Sequence, residues 1–456
     1  NSNFNKKYLT NKIYFKKKQL SKFEKKKKLK RFSKKFKLED LSLFRDKLLK
    51  WSNKYSHSSF LNSNNYSSNI NQYECICAVE MESETPFTKH NSTKKLDNYL
   101  KKVDDWVFGY LNYDLKNEIE NLKSNNPENF SLPNLYFFQP KKIWIIKNDY
   151  VEALYLESNL IIEDWNSINS LNIKNENNHF NPPILNQKLN KEQYLNKIDV
   201  LKNHIRRGDV YEANFCFEWF SDHAEIDPLY VYKNLNKISK SPMSVYFKNK
   251  KLHLICSSPE RYLKRNNNKL ISQPIKGTSR RDIDFVIDKK LKDNLSLDPK
   301  ERSENIMIVD LVRNDMSRFS KPGSVKVKEL CEVYPFKQVH QMISTIESKV
   351  DSSLKISKII EGSFPMGSMT GAPKVKAMKI IDELEETKRG LYSGAVGFID
   401  PYGNFDFNVV IRSLIYDSES KHLSFHVGSA ITAKSKGVNE YDECLLKGKA
   451  MILSLT

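Results

Sequence analysis

Residues 272–281 read SQPIKGTSRR and continue a short run with strand character, Lys269–Gln273 (KLISQ). Just upstream, residues 261–264 form another such run, separated from 270–273 by Asn266-Asn267-Asn268, which signals a hairpin. Pro274 has no N–H to offer a ladder, so it marks the strand's end or an edge. Gly277 permits a turn and the close approach of a ligand or another backbone. Lys276 is thereby held at the mouth of a sheet beside apolar Ile275. Burial lowers an amine's proton affinity, which makes it a nucleophile near neutral pH. The competing reading is a snorkelling surface lysine in a basic turn with Arg280 and Arg281.

Outward from this stretch the pattern repeats. Residues 243–247 and 252–256 form a second hairpin across KNKK, and 394–400 and 404–416 a third, turning at Pro401-Tyr402-Gly403. Residues 210–220 and 423–426 are further strands. Helical stretches lie at 191–207, with Tyr194, Ile198, Leu201 and Ile205 on one apolar face, and near 283–295, 299–315, 355–361, 373–387 and 438–453. The first part has an amphipathic helix at 38–55 and strands at 73–79, 106–112, 135–138, 142–146 and 150–156, with a shorter apolar run at 160–162. Residues 116–134 read as a loop, and 166–186, rich in Asn, Ser and Pro, as a linker. The expectation is an α+β fold in which antiparallel sheets form a sandwich-like core with helices packed outside. Its divisions are a basic, disordered tail at 1–35, an N-terminal region at 36–165, a linker at 166–189 and a C-terminal region at 190–456.

The 456 residues carry a formal charge of +20, but residues 1–50 hold 19 of the 75 Lys and Arg and only 4 of the 55 Asp and Glu. The remainder is nearly balanced, which argues against a nucleic-acid-binding body. Mean hydropathy is −0.61, and no run of about 18 apolar residues suggests a membrane span. The six cysteines form no CxxC pair and predict reduced thiols in a cytoplasmic protein.

Three further patterns carry chemistry. Glu301 and Glu304 share one face of a helix opened by Asp298 and Pro299, and Glu440 and Glu443 repeat the spacing with Lys447 one turn on. Two such pairs suit a hard cation such as Mg²⁺, or serve only as caps and dipole partners. GSFPMGSMTGAPK (362–374) leads into a helix, an anion site built from free N–H groups, without being a Walker motif. Arg412 lies in the apolar stretch FNVVIRSLIY (407–416), which reads as a buried strand, and a buried guanidinium calls for a carboxylate. His340 and Glu260 sit beside strand ends, where acids and bases act.

The order of SPER (258–261), PIKGT (274–278), ENIMIVDLVRND (304–315), VHQMIST (339–345), GSMTGAPKVKAM (367–378), RGLYSGAVG (389–397), VVIRSL (409–414) and EYDECLLK (440–447) resembles the chorismate-utilising enzymes. The resemblance covers about residues 190–456; 36–165 matches the family's N-terminal region weakly. It implies a chorismate-binding catalytic domain. Glu304 and Glu443 would be Mg²⁺ ligands, with Glu301 and Glu440 supporting or alternative ligands at the substrate's ring carboxylate. Tyr392, Arg412 and Lys447, with backbone N–H groups near Gly371-Ala372, would hold the enolpyruvyl carboxylate. His340 would lie by the reacting ring, and Glu260 would be the general acid at the departing C4 hydroxyl.

PIKGT is similar to the aminodeoxychorismate synthase branch, component I. There the lysine adds to C2 as the C4 hydroxyl leaves, and ammonia then attacks C4, giving 4-amino-4-deoxychorismate for 4-aminobenzoate and folate. Anthranilate synthases have alanine at Lys276 and His after Glu304, where this chain has Asn305. Isochorismate and salicylate synthases need a lysine at the position of Glu212. Glu212 also departs from the glutamine of the better-known aminodeoxychorismate synthases. Gly428-Ser429-Ala430 replaces a Gly-rich turn, and Lys434 an Asp. No glutaminase sequence is present, so the resemblance implies ammonia from a separate glutamine amidotransferase subunit.

Overall fold

A computed structural model describes residues 31–66, 70, 73–173, 180–337 and 339–456. Every strand ladder among them is antiparallel. The strand Leu135–Lys147 is the hinge of the arrangement. Its first residues pair with Val107–Leu111, and the rest pair with Cys75–Glu84 and Tyr150–Tyr155. From its far half one sheet runs through Cys75–Glu84, His57–Asn62, Met243–Asn249, Leu252–Ser258, Ser413–Asp417 and His422–Thr432 to Glu212–Ser221. From its near half a second runs through Val107–Leu111, Ala395–Ile399, Phe405–Val409, Arg261–Asn266 and Lys269–Gln273 to Val339–Lys349.

Side-chain alternation explains the layering. Ile76, Ala78, Phe108, Tyr110, Ile143 and Ile145 fill a core built of strand residues from both sheets, the interior of a sandwich. Their neighbours Cys75, Cys77, Trp144 and Ile146 point the other way, into a core shared with helices such as Leu41–Ser52, Lys191–Arg206 and Gly437–Ser454. A third core packs Val107 and Leu111 against the helices Ser92–Val103, Pro299–Ser317 and Ile356–Ser363. Strands buried on both faces read as nearly continuous apolar runs. The expected α+β sandwich with outer helices is what the chain forms.

Several local expectations are corrected. Phe32–Lys37, read as part of a disordered tail, is a strand paired with Tyr150–Tyr155; the tail's residues 1–30 lie outside the described residues. Arg31 fixes its entry by binding Asp105 in a fork, with contacts at 2.8 and 2.7 Å. Residues 160–162 open the helix Leu160–Ser170, so the expected linker begins inside a helix. The loop at 116–134 starts with the short helix Lys116–Ile119. The two expected runs at 135–138 and 142–146 are one strand, through Pro140. The helix Pro228–Ser239 and the strands Lys326–Pro335 and Val339–Lys349 were not apparent in the sequence.

Strands before and after residues 166–189 pair with one another: His57–Asn62 with Met243–Asn249, and Val107–Leu111 with Ala395–Ile399. The second ladder sets Gly109 opposite Gly397. A Cβ on Gly109 would lie 1.9 Å from the Tyr136 carbonyl oxygen. Gly109→Ala must therefore push strands apart, and it is expected to destabilise the fold by about 1–3 kcal/mol, read as a lowered denaturation midpoint.

Candidate active site

The chain crosses between the two sheets at two neighbouring places. After Leu252–Ser258 it passes through Pro259 and Glu260 into Arg261–Asn266; after Phe405–Val409 it passes through residues 410–412 into Ser413–Asp417. The crossings are bonded to each other. Val409 N–H donates to Glu260 O at 3.1 Å, and Ser257 N–H donates to Arg412 O at 3.1 Å. Arg412 is therefore not in a continuous buried strand, as its apolar flanks suggest; it sits at the crossing with φ of 53° and is partly exposed. Where the sheets diverge, a cavity of about 580 Å³ opens, lined by Glu260, Lys276, Arg412, Tyr392, both Glu pairs and Lys447. Its size suits a small ligand.

Glu260 is 4% exposed, and its Oε1 accepts from Ser368 Oγ at 2.6 Å. Burial pushes its carboxyl up to about 7 against the opposing pull of Ser368 and Lys276. It can therefore hold a proton near neutral pH and release it. Arg412's guanidinium makes no hydrogen bond or ion pair among the described residues, although it lines the cavity. Beside it, Tyr392 is stacked on His426 at 5.1 Å, and its OH accepts from Cys216 Sγ at 3.6 Å. Lys447 donates to Gly428 O at 3.0 Å and to Glu443 at 2.7 Å. Gly428, expected in a turn, lies in the strand His422–Thr432; a Cβ there would meet Cys216 Sγ at 2.3 Å.

Lys276 lies on a bulge. The ladder between Ile275–Arg280 and Val339–Lys349 pairs Ile275 with Ile343 and Thr278 with Gln341, so Lys276 and Gly277 together oppose Met342. Gly277 adopts φ of +91°, which favours glycine. The bulge aims Lys276 inward, where Nζ donates to Glu212 Oε1 at 2.8 Å. The expectation of a proton-poor lysine is corrected here. Burial works against its charge, but Glu212, together with Glu304 and Glu260 beyond it, outweighs burial, and the ammonium is held above the ordinary lysine range.

The two acidic pairs face one another as expected, from Pro299–Ser317 and Gly437–Ser454. Asp298 caps the first helix by accepting from Lys300 and Glu301 N–H at 2.8 and 3.0 Å. Lys300 Nζ lies 3.6 Å from Glu440, 3.8 Å from Glu304 and 4.0 Å from Glu301. Burial raises Glu304 to about 7, and its Oε1 is buried without a hydrogen-bond partner. Glu443 also feels burial, but Lys447 draws it below the usual carboxylate range. No three His, Cys, Asp or Glu among the described residues converge as a preformed metal cage. The donor set still fits a hard cation. It is oxygen only, it contains an orphaned buried oxygen, and an ammonium already sits among the carboxylates.

Three expected site residues do not line the cavity. His340 is 1% exposed and points away, with Nε2 2.9 Å from Asp288 Oδ1. Its neighbours Val339 and Gln341 face the cavity instead, since adjacent strand residues face opposite ways. Gly371 and Ala372 pair with Ala213 and Glu212, and so hold the strand carrying Glu212. Sequence reasoning missed Ser368, Lys300, Asn214 and His426 as cavity residues. Ser368 lay inside a quoted motif; the others carried no local signal.

The model for chorismate binding enzymes matches residues 51–453. A chloroplastic aminodeoxychorismate synthase of Arabidopsis thaliana is 39% identical over 263 residues, 57% of this chain and 28% of that protein. Aminodeoxychorismate synthase component 1 of Bacillus subtilis is 30% identical over 364 residues, 76% of each chain. Anthranilate synthase component 1 of Saccharolobus solfataricus is 33% identical over 348 residues, covering 76% of this chain and 79% of that one. The chain thus spans about a quarter of the plant relative and about three quarters of the microbial ones. In the crystal structure of anthranilate synthase component I from Streptococcus pneumoniae the fold recurs, with TM-score 0.72 at 22% identity over 85% of this chain and 93% of that one. Because that family model spans residues 51–453, most of its length, the chain belongs to the chorismate binding enzyme family.

Proposed function

We propose that the chain is the synthase component of an aminodeoxychorismate synthase, converting chorismate and ammonia to 4-amino-4-deoxychorismate. The observation that carries this reading is Lys276, which the bulge turns into the same cavity as Glu260. An amine beside a carboxyl that holds a proton near pH 7 suits displacement of a hydroxyl: the amine attacks while the acid protonates the departing oxygen. The unpartnered guanidinium of Arg412, with Tyr392 and Lys447, would bind one substrate carboxylate. Glu304 and Glu443, supported by Glu301 and Glu440, would hold Mg²⁺ at the other. The cation would supply charge neutralisation of the ring carboxylate. His340, against Asp288, would act from outside the cavity by fixing the strand that carries Gln341.

Ammonia would come from a separate glutaminase subunit, and the product would feed 4-aminobenzoate and folate synthesis. The six cysteines are free and buried, in keeping with a reducing compartment such as the cytoplasm. No helix among the described residues is long and apolar enough to cross a membrane.

The direct test is incubation with chorismate, an ammonium salt and Mg²⁺, with the product identified by chromatography and mass. The expected product is 4-amino-4-deoxychorismate, lost in Lys276→Ala; anthranilate would overturn the reading. A second expectation concerns pH. Glu260 must be protonated to act as the acid, so the rate should fall as pH rises through about 7. Ser368 stabilises the charged form, so Ser368→Ala should move that falling limb to higher pH. A limb that stays in place would remove Glu260 from the acid's role.

A further inference from the structure

The buried ion pair behind the cavity leaves a chemical problem. Lys276 is an ammonium, and an ammonium has no lone pair with which to attack carbon. The carboxylates around it are Glu212, in contact, and Glu304, Glu260, Glu301 and Glu443 at longer range. Of these only Glu212 is hydrogen-bonded to Nζ, at 2.8 Å. Glu212 is 1% exposed, and its second oxygen, Oε2, is buried without any hydrogen-bond partner. Its backbone is pinned on both sides, by Thr432 and by Ala372. It stands behind Lys276 and does not line the cavity, so substrate does not compete for it.

Granting the amination reading, we propose that in this chain, where Glu212 replaces the glutamine of better-known relatives and is ion-paired to Lys276, Glu212 is the proton acceptor that makes Lys276 a nucleophile. Burial penalises charge on both partners, and moving one proton from Nζ to Glu212 replaces two buried charges by a neutral amine and a neutral acid. Filling the cavity with substrate removes the water that favours the ion pair. The Nζ lone pair then forms the bond to C2, the two ring double bonds shift, and the C4–O bond breaks. The hydroxyl takes the proton of Glu260 and leaves as water. When ammonia attacks C4, the double bonds shift back and the C2–N electron pair returns to Nζ. Nζ recovers the proton held on Glu212, and the new ammonium at C4 returns one to Glu260. Protons and electrons balance, and the ion pair is restored.

The test withholds ammonia and follows the adduct on Lys276, of mass chorismate minus water, by rapid quench and peptide mass spectrometry on the full chain with Mg²⁺. If the wild type forms no adduct, or yields anthranilate once ammonium is added, the amination reading itself fails. If the wild type forms it, Glu212→Gln is expected to slow adduct formation by about 100-fold or more near pH 7. Chorismate KM should change little, and Glu212→Asp should restore part of the rate. Adduct formation in Glu212→Gln at the wild-type rate or faster overturns the proposal, because the carboxylate would then merely keep the amine charged. The wild-type profile is a second, independent measure should the variants fold poorly. Internal transfer predicts no dependence on hydroxide below pH 7, and a rate that climbs in proportion to hydroxide shows that the proton leaves to solvent and overturns the proposal.

Discussion

Two backbone hydrogen bonds tie together the places where the chain changes sheets: Val409 N–H to Glu260 O, and Ser257 N–H to Arg412 O. The cavity depends on them. A strand that leaves one sheet for another must turn its backbone, and the turn at Arg412 takes φ of 53°. The same turn carries the guanidinium out of the apolar stripe and into the opening between the sheets. Glu260, at the matching crossing, is delivered to the same space by rigid backbone. A buried carboxyl and an unpartnered guanidinium are thus placed by sheet topology.

Around that frame the cationic side chains of the cavity are set against carboxylates, some buried and some partly exposed. Lys276 faces Glu212, Lys447 faces Glu443, and Lys300 stands among three carboxylates. Burial makes an isolated charge costly, which bears most on Lys276 and Glu212, the pair enclosed on both sides. The exceptions point to what the site does. Arg412 has no hydrogen bond or ion pair within the described residues, and Glu304 Oε1 and Glu212 Oε2 are buried without a hydrogen bond. Under the proposed reading a substrate carboxylate would meet Arg412, a cation would meet Glu304, and a proton would pass to Glu212.

Helix starts were legible where capping is local. Asp298 with Pro299 marks the first turn that the structure has, whereas the capping box of Asn190 and Gln193 was not read. The hairpins were legible from alternation, and the acidic pairs from their three-residue spacing. Other elements gave no such signal. Lys326–Pro335 is largely exposed and rich in charge, and only its pairing with Val339–Lys349 makes it a strand. Phe32–Lys37 likewise looks like the rest of a basic tail until Tyr150–Tyr155 offers it hydrogen bonds.

The sequence by itself determined the fold class, the family and the residues able to do chemistry, because these rest on residue type and short spacing along the chain. Lys276, Glu260, Arg412 and the two Glu pairs were all named by such patterns. Only the tertiary structure decided which way side chains point and what state they are in. Whether His340 or Gln341 faces the cavity turns on strand register, set by partners distant in sequence. Lys276 is charged at rest because Glu212, 64 residues away along the chain, is folded against it. Proton affinity depends on burial and on neighbours in space, and neither is a property of the local sequence.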